Sequence, residues 1–405
     1  MLLYKQRAIS TQTKMERLKS DQDQTKQNDT YKLAYMIHFL LGAGNLLPWN
    51  TLISAIDYFG YLYPEKHMEK LFSVAYMSSS LLVLVMMISW SSFSTKVSFR
   101  MRMNIGFIMF VICLMVTPTI DWSGARHSSM FYVVVATVVI CGLANGLIGG
   151  SLIGSAGKLP NQYMQAVFAG TASSGILVSL LRIIAKASLP HDAQGLRTSA
   201  HLYFMVSTVI LMVCIVCCTL LYKLPVMQQH YKQLQQDHPP SNPKLWYVAR
   251  TIQWPALGIF ITYTITLSIF PGFLAENLES KILKDWYPIM LIATYNIADF
   301  FGKSFTVIYM SKSVAKATWG CVARLVFYPI FTACLHGPKW LRSEEFVVFL
   351  TFMLGFTNGY VTSVIMILAP KSVPTSEAET AAIVMALCLG IGLVSGSVLG
   401  WFWII

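Results

Sequence analysis

Residues 130–157 read MFYVVVATVVICGLANGLIGGSLIGSAG, a long apolar run without a single charged side chain. An α-helix needs roughly 20 apolar residues to cross the hydrocarbon core of a bilayer, and an uncharged run of about 18 or more is typical of a membrane span. This stretch therefore predicts a transmembrane helix.

The rest of the chain repeats this pattern. Of its 405 residues, 55% are hydrophobic and 12% are charged, whereas a soluble domain has roughly 25% charged residues. We predict an all-α integral membrane protein of about eleven transmembrane helices, at roughly 20 residues a span. The other ten predicted spans lie near 34–59, 71–91, 104–120, 162–187, 199–222, 251–275, 287–310, 316–335, 345–370 and 377–403.

Two polar segments divide the chain. Residues 1–33 contain no apolar run, which argues against a cleaved signal peptide and predicts a disordered cytosolic tail. Residues 223–250 form the longest later hydrophilic break and predict a cytosolic linker. The linker separates an N-terminal bundle of six helices, 34–222, from a C-terminal bundle of five, 251–405.

We attribute the net charge of +12 to membrane topology rather than to nucleic-acid binding. With the tail placed in the cytosol, the basic excess falls on the cytosolic loops, as the positive-inside rule requires, and the C-terminus is non-cytosolic. We expect no nucleic-acid partner. Plasma membrane is the default location, with a vacuolar membrane as the alternative, and the sequence predicts no oligomeric state. The cytosolic basic residues include Lys96, Arg100, Arg102, Lys158, Lys223, Lys312, Lys316 and Lys371.

Glycines recur every four residues in two spans. Small residues at this spacing share one helix face and allow helices to approach closely in lipid. We therefore expect tight helix contacts along both faces. The two sets are Gly142, Gly146, Gly150 and Gly154, and Gly392, Gly396 and Gly400.

The eighth span carries the polar residues with the highest free-energy cost of membrane insertion. Asn296, Asp299 and Lys303 are spaced by three and then four, so that they share one helix face. A charge at membrane depth costs at least about 2.5–3.5 kcal/mol, and pairing Asp299 with Lys303 lowers the cost of both. We expect this face to line an aqueous pathway, the alternative being that Lys303 reaches the interface and the pair only fixes the helix.

Other polar residues are open to two interpretations. Arg182 and Arg324 lie in the fifth and ninth spans, and with Phe270 at the end of the seventh they are candidates for a gating or structural role. Interfacial anchoring is the alternative for both arginines. Glu377 and Glu379 begin the last span, where a carboxylate suits a helix N-terminus.

Enzyme motifs are missing from the sequence. It contains no Walker A, GxSxG, HExxH or paired CxxC arrangement, so we predict neither an enzyme nor a cofactor or metal site. A channel would need polar stripes along several spans or a recurring filter loop, and neither is present.

Five segments together resemble the equilibrative nucleoside transporter family, most closely its plant branch. The resemblance implies a major-facilitator-like architecture of two bundles, six and five helices, that rock about a central site. The segments are Gly42–Asn50, Gly150–Pro160, Asn296–Lys303, Asn358–Tyr360 and Pro370–Thr380.

The resemblance also implies site residues. In the family, the tryptophan of the LLPWN motif lines the nucleobase site, which here is Trp49, with Leu46 and Asn50 beside it. The family's aspartate and arginine in the eighth helix contact the ribose. Asp299 matches the first, whereas Lys303 replaces the arginine and loses its two-pronged donor.

A second departure from the family lies in the fourth span. Many members carry a glutamine before Gly-Ser-Leu-x-Gly that bonds the base, and this chain has Gly149 there. Asn145, one turn earlier, is the candidate replacement, with helix packing as the alternative.

The chemistry of these residues fits a nucleoside, because an indole stacks a flat base and a carboxylate accepts from sugar hydroxyls. The expected partners are purine or pyrimidine nucleosides and the lipid bilayer. Protons are an open partner: plant-type relatives are often proton symporters, whereas Lys303 favours a charged Asp299. The alternative is a carrier of the same fold for another small polar solute, such as a nucleobase or sugar.

Overall fold

The computed structural model describes residues 32–66, 68–89, 98–123, 127–190, 192–230, 245–270, 274, 278, 280, 282–338 and 340–400. Every regular element within these ranges is a helix, which agrees with the predicted fold class. The predicted tail up to residue 31 and the middle of the predicted linker, 231–244, lie outside the described residues.

The described residues of the N-terminal half contain seven helices. α1 and α2 are bent by 43° at Ala55 and together give one candidate span. The helices are α1 Lys32–Ser54, α2 Ile56–Leu62, α3 Met68–Ser89, α4 Phe99–Ser123, α5 His127–Lys158, α6 Asn161–Ser188 and α7 Ala193–Leu221.

In the C-terminal half, seven more helices lie within the part of the chain that the structure describes. The short α8 meets α9 at 68°, so that the predicted linker, 223–250, ends inside a helix rather than in a loop. A 3-10 turn, Arg324–Val326, joins α11 to α12. The helices are α8 Leu245–Thr251, α9 Gln253–Ile269, α10 Tyr287–Ile308, α11 Val314–Ala323, α12 Phe327–His336, α13 Glu344–Leu368 and α14 Ala378–Leu399.

The number of spans depends on how breaks are treated. Within the described residues, 8 helices are long and apolar enough to cross a membrane, or up to 10 if each bent pair is one span. α10 is outside this set although it is 22 residues long, because its polar residues lower its hydropathy. Counting α10 gives the predicted eleven, and that number stays a prediction.

The glycine faces are helix contacts, as their spacing predicts. A Cβ on Gly146 would lie 2.5 Å from the Ser80 carbonyl oxygen of α3, and one on Gly392 would lie 2.7 Å from that of Phe260 on α9. Larger side chains would force these backbones apart. Tight packing therefore holds α5 against α3 and α14 against α9.

The two halves meet along two seams. α6 packs against α10 on one side, and α14 packs against α3 and α5 on the other. Large apolar side chains such as Ile112, Val216 and Phe301 are exposed on the outside, where a bilayer covers them. The polar residues of α10 are instead turned inward, between the two halves.

Candidate functional site

A cavity of about 340 Å³ lies between the two halves. Its walls come from α1, α3, α5 and α6 on one side and from α9, α10, α13 and α14 on the other. The volume falls within the range of small-molecule sites, about 300–1,000 Å³. A central cavity between two helical halves is therefore the candidate site.

The aromatic wall comes from α1. Trp49 and Leu46 both line the cavity, and the Trp49 ring lies 4.9 Å from the Tyr76 ring of α3 at an angle of 44°. Asn50 also lines the cavity, while its Nδ2 donates to the Ser174 hydroxyl of α6 at 2.8 Å. The indole is thus held from behind by a second ring and keeps contact with the cavity.

The fourth predicted span, α5, contributes an amide and open space. Asn145 lines the cavity and donates from Nδ2 to the Ser80 hydroxyl at 2.9 Å. Gly149, one turn later, lines the cavity as well, and a Cβ there would lie 3.5 Å from Nδ2 of Asn45. The missing side chain at 149 therefore widens the site beside two asparagines.

The opposite wall holds the predicted ion pair. Asp299 and Lys303 line the cavity and are only 7% and 4% exposed, with Nζ of Lys303 2.7 Å from Oδ2 of Asp299. The other carboxylate oxygen, Oδ1, accepts from Nδ2 of Asn358 on α13 at 2.8 Å. The pair is thus buried inside the protein, and the alternative in which Lys303 reaches the membrane interface is wrong.

Asn296 lines the cavity but also joins the two halves. Its Nδ2 donates to the Gly175 carbonyl at 3.3 Å and to the Ser179 hydroxyl at 2.8 Å, both on α6. Lys303 reaches the Thr171 hydroxyl of the same helix at 3.4 Å. Asn296 and Lys303 therefore also hold α10 against α6.

Arg324 lies behind the ion pair and is absent from the described cavity lining. It is 2% exposed, so the interfacial-anchor alternative is wrong. Its guanidinium donates to the Thr266 hydroxyl at 2.6 Å, Thr266 donates to Oδ1 of Asn358, and Asn358 donates to Asp299. A continuous line of hydrogen bonds thus runs from Arg324 to the Asp299 carboxylate.

Arg182 and Phe270 lie along the cavity wall towards the end of α1 that carries Asn50, here called the Asn50 end. Arg182 pairs with the exposed Asp57 at 2.8 Å, and Phe270 stacks on Tyr295 at 3.8 Å. Their predicted gating role stays a prediction.

The opposite end of the bundle, the Lys158 end, is closed by direct contact between the halves. Glu379 of α14 pairs with Lys158 of α5 at 2.6 Å and approaches Arg102 of α4 at 3.7 Å. A Cβ on Gly157 would lie 2.8 Å from Cβ of Ala382, so α5 and α14 touch here. Glu379 thus joins the halves as well as beginning a helix.

Sequence reasoning missed three polar residues around the site. Asn358 donates to Asp299, Thr266 donates to Asn358, and Asn45 lines the cavity near Trp49. Asn358 was detectable, because it is an amide within the otherwise apolar run of α13.

Comparison with known proteins identifies the family. The family model described as "Nucleoside transporter" matches residues 135–242 and 234–405. The chain belongs to the nucleoside transporter family. It is 61% identical to equilibrative nucleotide transporter 8 of Arabidopsis thaliana, over 95% of this chain and 98% of that protein. Identity to equilibrative nucleotide transporter 1 of the same plant is 46%, over 93% and 87%.

Membership in this family of transporters confirms the resemblance, including its plant character, and makes the chain a multi-pass membrane transporter rather than an enzyme.

Solved structures give the fold. The human organic anion transporter MFSD10 (TETRAN) aligns with a TM-score of 0.59 at 14% identity, over 92% of this chain and 94% of that one. The proton:xylose symporter XylE, a major facilitator protein, aligns with a TM-score of 0.60 at 11% identity, over 92% and 87%. The predicted major-facilitator-like fold is confirmed, while the domain boundaries stay a prediction.

Proposed function

We propose that this protein carries nucleosides across a membrane by alternating access. One observation supports this most directly: Trp49 from one half and the Asp299–Lys303 pair from the other line the same cavity. An aromatic plate and a hydroxyl-binding charge pair are the two groups that a base and its sugar require.

Each half of the site then holds one half of the substrate. The base stacks on the Trp49 indole, as flat rings do on aromatic side chains. The ribose hydroxyls donate to the Asp299 carboxylate, whose oxygens each have a second lone pair beyond the bonds to Lys303 and Asn358. Lys303 donates to a ribose oxygen. Nucleoside binding thereby spans both halves.

Uptake measurements test this function. Cells that lack their own carriers are expected to accumulate radiolabelled adenosine and uridine when they express this protein. Competition with unlabelled nucleosides, nucleobases, sugars and amino acids decides the substrate class. Competition by a sugar or a nucleobase, and none by nucleosides, would replace this proposal with the alternative carrier.

Substitution of Trp49 by alanine is expected to raise KM for nucleosides about tenfold, since base–aromatic stacking contributes roughly 1–3 kcal/mol per base. Substitution by phenylalanine keeps part of the stacking surface and is expected to give an intermediate KM. Exchange of the exposed Trp319, outside the cavity lining, for alanine is the matched control. Equal KM values in all three variants would contradict the stacking role.

The direction of access follows from the two ends of the bundle. The Lys158 end is held shut by Glu379, whereas cavity-lining residues extend to Asn50 and Ser397 at the other end. We take the Lys158 end as cytosolic because of its basic residues, so this arrangement admits substrate from outside. Rocking of the halves about the α6–α10 seam would break the Glu379 contacts and open the cytosolic side.

Replacing Glu379 with glutamine is expected to raise the KM for uptake about two- to fivefold, because a weaker closure leaves fewer molecules open to the outside. Initial uptake and efflux rates from preloaded cells measure this bias. Lys371→Gln removes an exposed charge near the same end and serves as the control. Lys158→Gln removes the partner at 2.6 Å and is expected to raise KM in the same way; an unchanged KM in both variants would argue against an ion-pair gate.

Proton coupling is a separate question at the same site. Asp299 is the only acidic side chain among the described residues that line the cavity, so a co-transported proton within this wall has one carboxylate to bind. That carboxylate is already paired with Lys303 at 2.7 Å, and a proton would have to compete with the ammonium. We therefore propose facilitated diffusion.

Flux and membrane current at two external pH values distinguish the mechanisms. A current-free flux that is independent of pH is expected for facilitated diffusion. An inward current that grows as external pH falls would establish symport instead.

The membrane in question is proposed to be the plasma membrane, with a cytosolic N-terminus and a non-cytosolic C-terminus. Microscopy of a tagged full-length chain, together with antibody access to a tag at each terminus, tests both statements. Fluorescence at the vacuolar membrane would instead mean that the protein transports nucleosides across that membrane.

A further inference from the structure

Two asparagine side chains, Asn45 and Asn145, line the part of the cavity next to Trp49, here called the Trp49 pole. Asn45 precedes Trp49 by four residues on α1, so that the two side chains share a helix face, and both line the cavity. Asn145 precedes Gly149 by the same spacing on α5, and the Gly149 position is within van der Waals contact of Asn45. Two asparagines from different helices thus face one small region.

Both asparagines have an unused oxygen. Oδ1 of Asn45 and Oδ1 of Asn145 are buried and have no hydrogen-bond partner among the described residues. Asn45 itself is only 9% exposed, and the nitrogen of Asn145 is engaged by Ser80. Buried amide oxygens are normally paired, because an unpaired one forfeits its hydrogen bond to water.

Gly149 keeps the space beside the Asn45 amide open. The neighbouring glycines, Gly146 and Gly150, are pressed against α3, where a Cβ would lie within 3 Å of its atoms. Gly149 instead faces the cavity, and a Cβ there would make only ordinary contacts, at 3.5 Å and beyond, with Asn45. Helix packing therefore explains Gly146 and Gly150, whereas Gly149 is explained by the space it leaves in the cavity.

We propose that Asn45 and Asn145 form an acceptor pair that recognises the exocyclic amino group of a nucleobase. This rests on the proposed function, in which Trp49 stacks the base. Rotation of the terminal amide torsion, which is broad for asparagine, turns each oxygen towards the base edge. Adenosine and cytidine present an amino group there, whereas guanosine carries a carbonyl oxygen at that position and its amino group at C2. Inosine and uridine present a carbonyl oxygen at the corresponding position, which repels an acceptor.

Two pairs of competitors isolate this contact. Adenosine differs from inosine, and cytidine from uridine, in an amino group that is replaced by a carbonyl on the base edge. In the wild-type protein the amino member of each pair is expected to inhibit labelled uptake about tenfold more tightly than its partner, the scale of one or two buried hydrogen bonds. Asn45→Leu is expected to lower that ratio at least about threefold.

A matched control removes an equally unpaired amide elsewhere. Asn104 on α4 also has a buried Oδ1 without a partner among the described residues, and it is not part of the cavity lining. Asn104→Leu should leave both ratios unchanged. Asn45→Thr and Asn145→Ala, which alter the pole less drastically, are each expected to lower the ratios if Asn45→Leu fails to reach the membrane.

The outcomes separate this inference from the proposed function. If nucleosides are taken up but all three variants at 45 and 145 keep the wild-type inhibition ratios, the acceptor pair is overturned and nucleoside transport stands. A wild-type preference for inosine and uridine has the same consequence. Absence of any nucleoside uptake overturns both. A ratio that falls only in the variants at 45 and 145 supports the proposal.

Discussion

Replacing Asp299 with alanine is expected to reduce nucleoside uptake at least about 100-fold while the protein still reaches the membrane. The carboxylate is the proposed ribose acceptor and the partner of Lys303 at 2.7 Å. Removing one member of a buried ion pair costs about 3–5 kcal/mol, since the other charge is left without compensation. Initial rates of adenosine uptake, normalised to surface protein, measure the loss.

Two further variants give that result its meaning. Glu65→Ala removes an exposed carboxylate and should transport normally. The double variant Asp299→Ala, Lys303→Ala removes both charges, so it should recover stability but not uptake. Wild-type uptake by the single variant would refute the role of Asp299, and recovery of uptake by the double variant would reduce it to charge neutralisation.

Replacing Gly359 with alanine is expected to reduce uptake at least about tenfold and to lower the melting temperature. Gly359 of α13 lies against the backbone of α10, and its Cβ would approach the carbonyl oxygen of Asp299 and lie 2.9 Å from the amide nitrogen of Lys303. Backbone cannot rotate away, so the helices must separate. Overpacking of this kind costs about 1–3 kcal/mol. A shift of the ion pair by about 1 Å is enough to impair binding geometry.

Gly320 provides the matched control for Gly359. Gly320 lies within α11, and a Cβ there would meet only Cγ1 of Val361 at 3.5 Å, which is an ordinary van der Waals contact. Gly320→Ala should therefore transport normally and be slightly more stable, because alanine favours a helix. Equal behaviour of the two variants would show that the α10–α13 approach does not position Asp299.

The predictions that came true rest on properties that are local in the chain. Apolar length identified the membrane class, and the spacing of Asn296, Asp299 and Lys303 placed them on one face of α10. The four-residue glycine repeat predicted close helix contacts on α5 and α14. Each of these depends only on the period of an α-helix and on the cost of polar groups in lipid.

Other features escaped the sequence because they depend on which helices become neighbours. The burial of Arg324, the hydrogen bond from Asn358 to Asp299 and the attachment of Asn296 to α6 each join residues of different helices. Asn45 was not recognisable as a site residue, since an asparagine in a glycine-rich part of a helix has many structural explanations.

By itself the sequence determined that this chain is a helical membrane protein with a charged stripe on one span, because hydrophobicity and helical period can be read along the chain. The tertiary structure decided that the stripe faces the indole of α1 across one cavity, and which end of that cavity is shut. Those facts follow from how the helices are rotated and paired, which is set by packing between residues far apart in sequence.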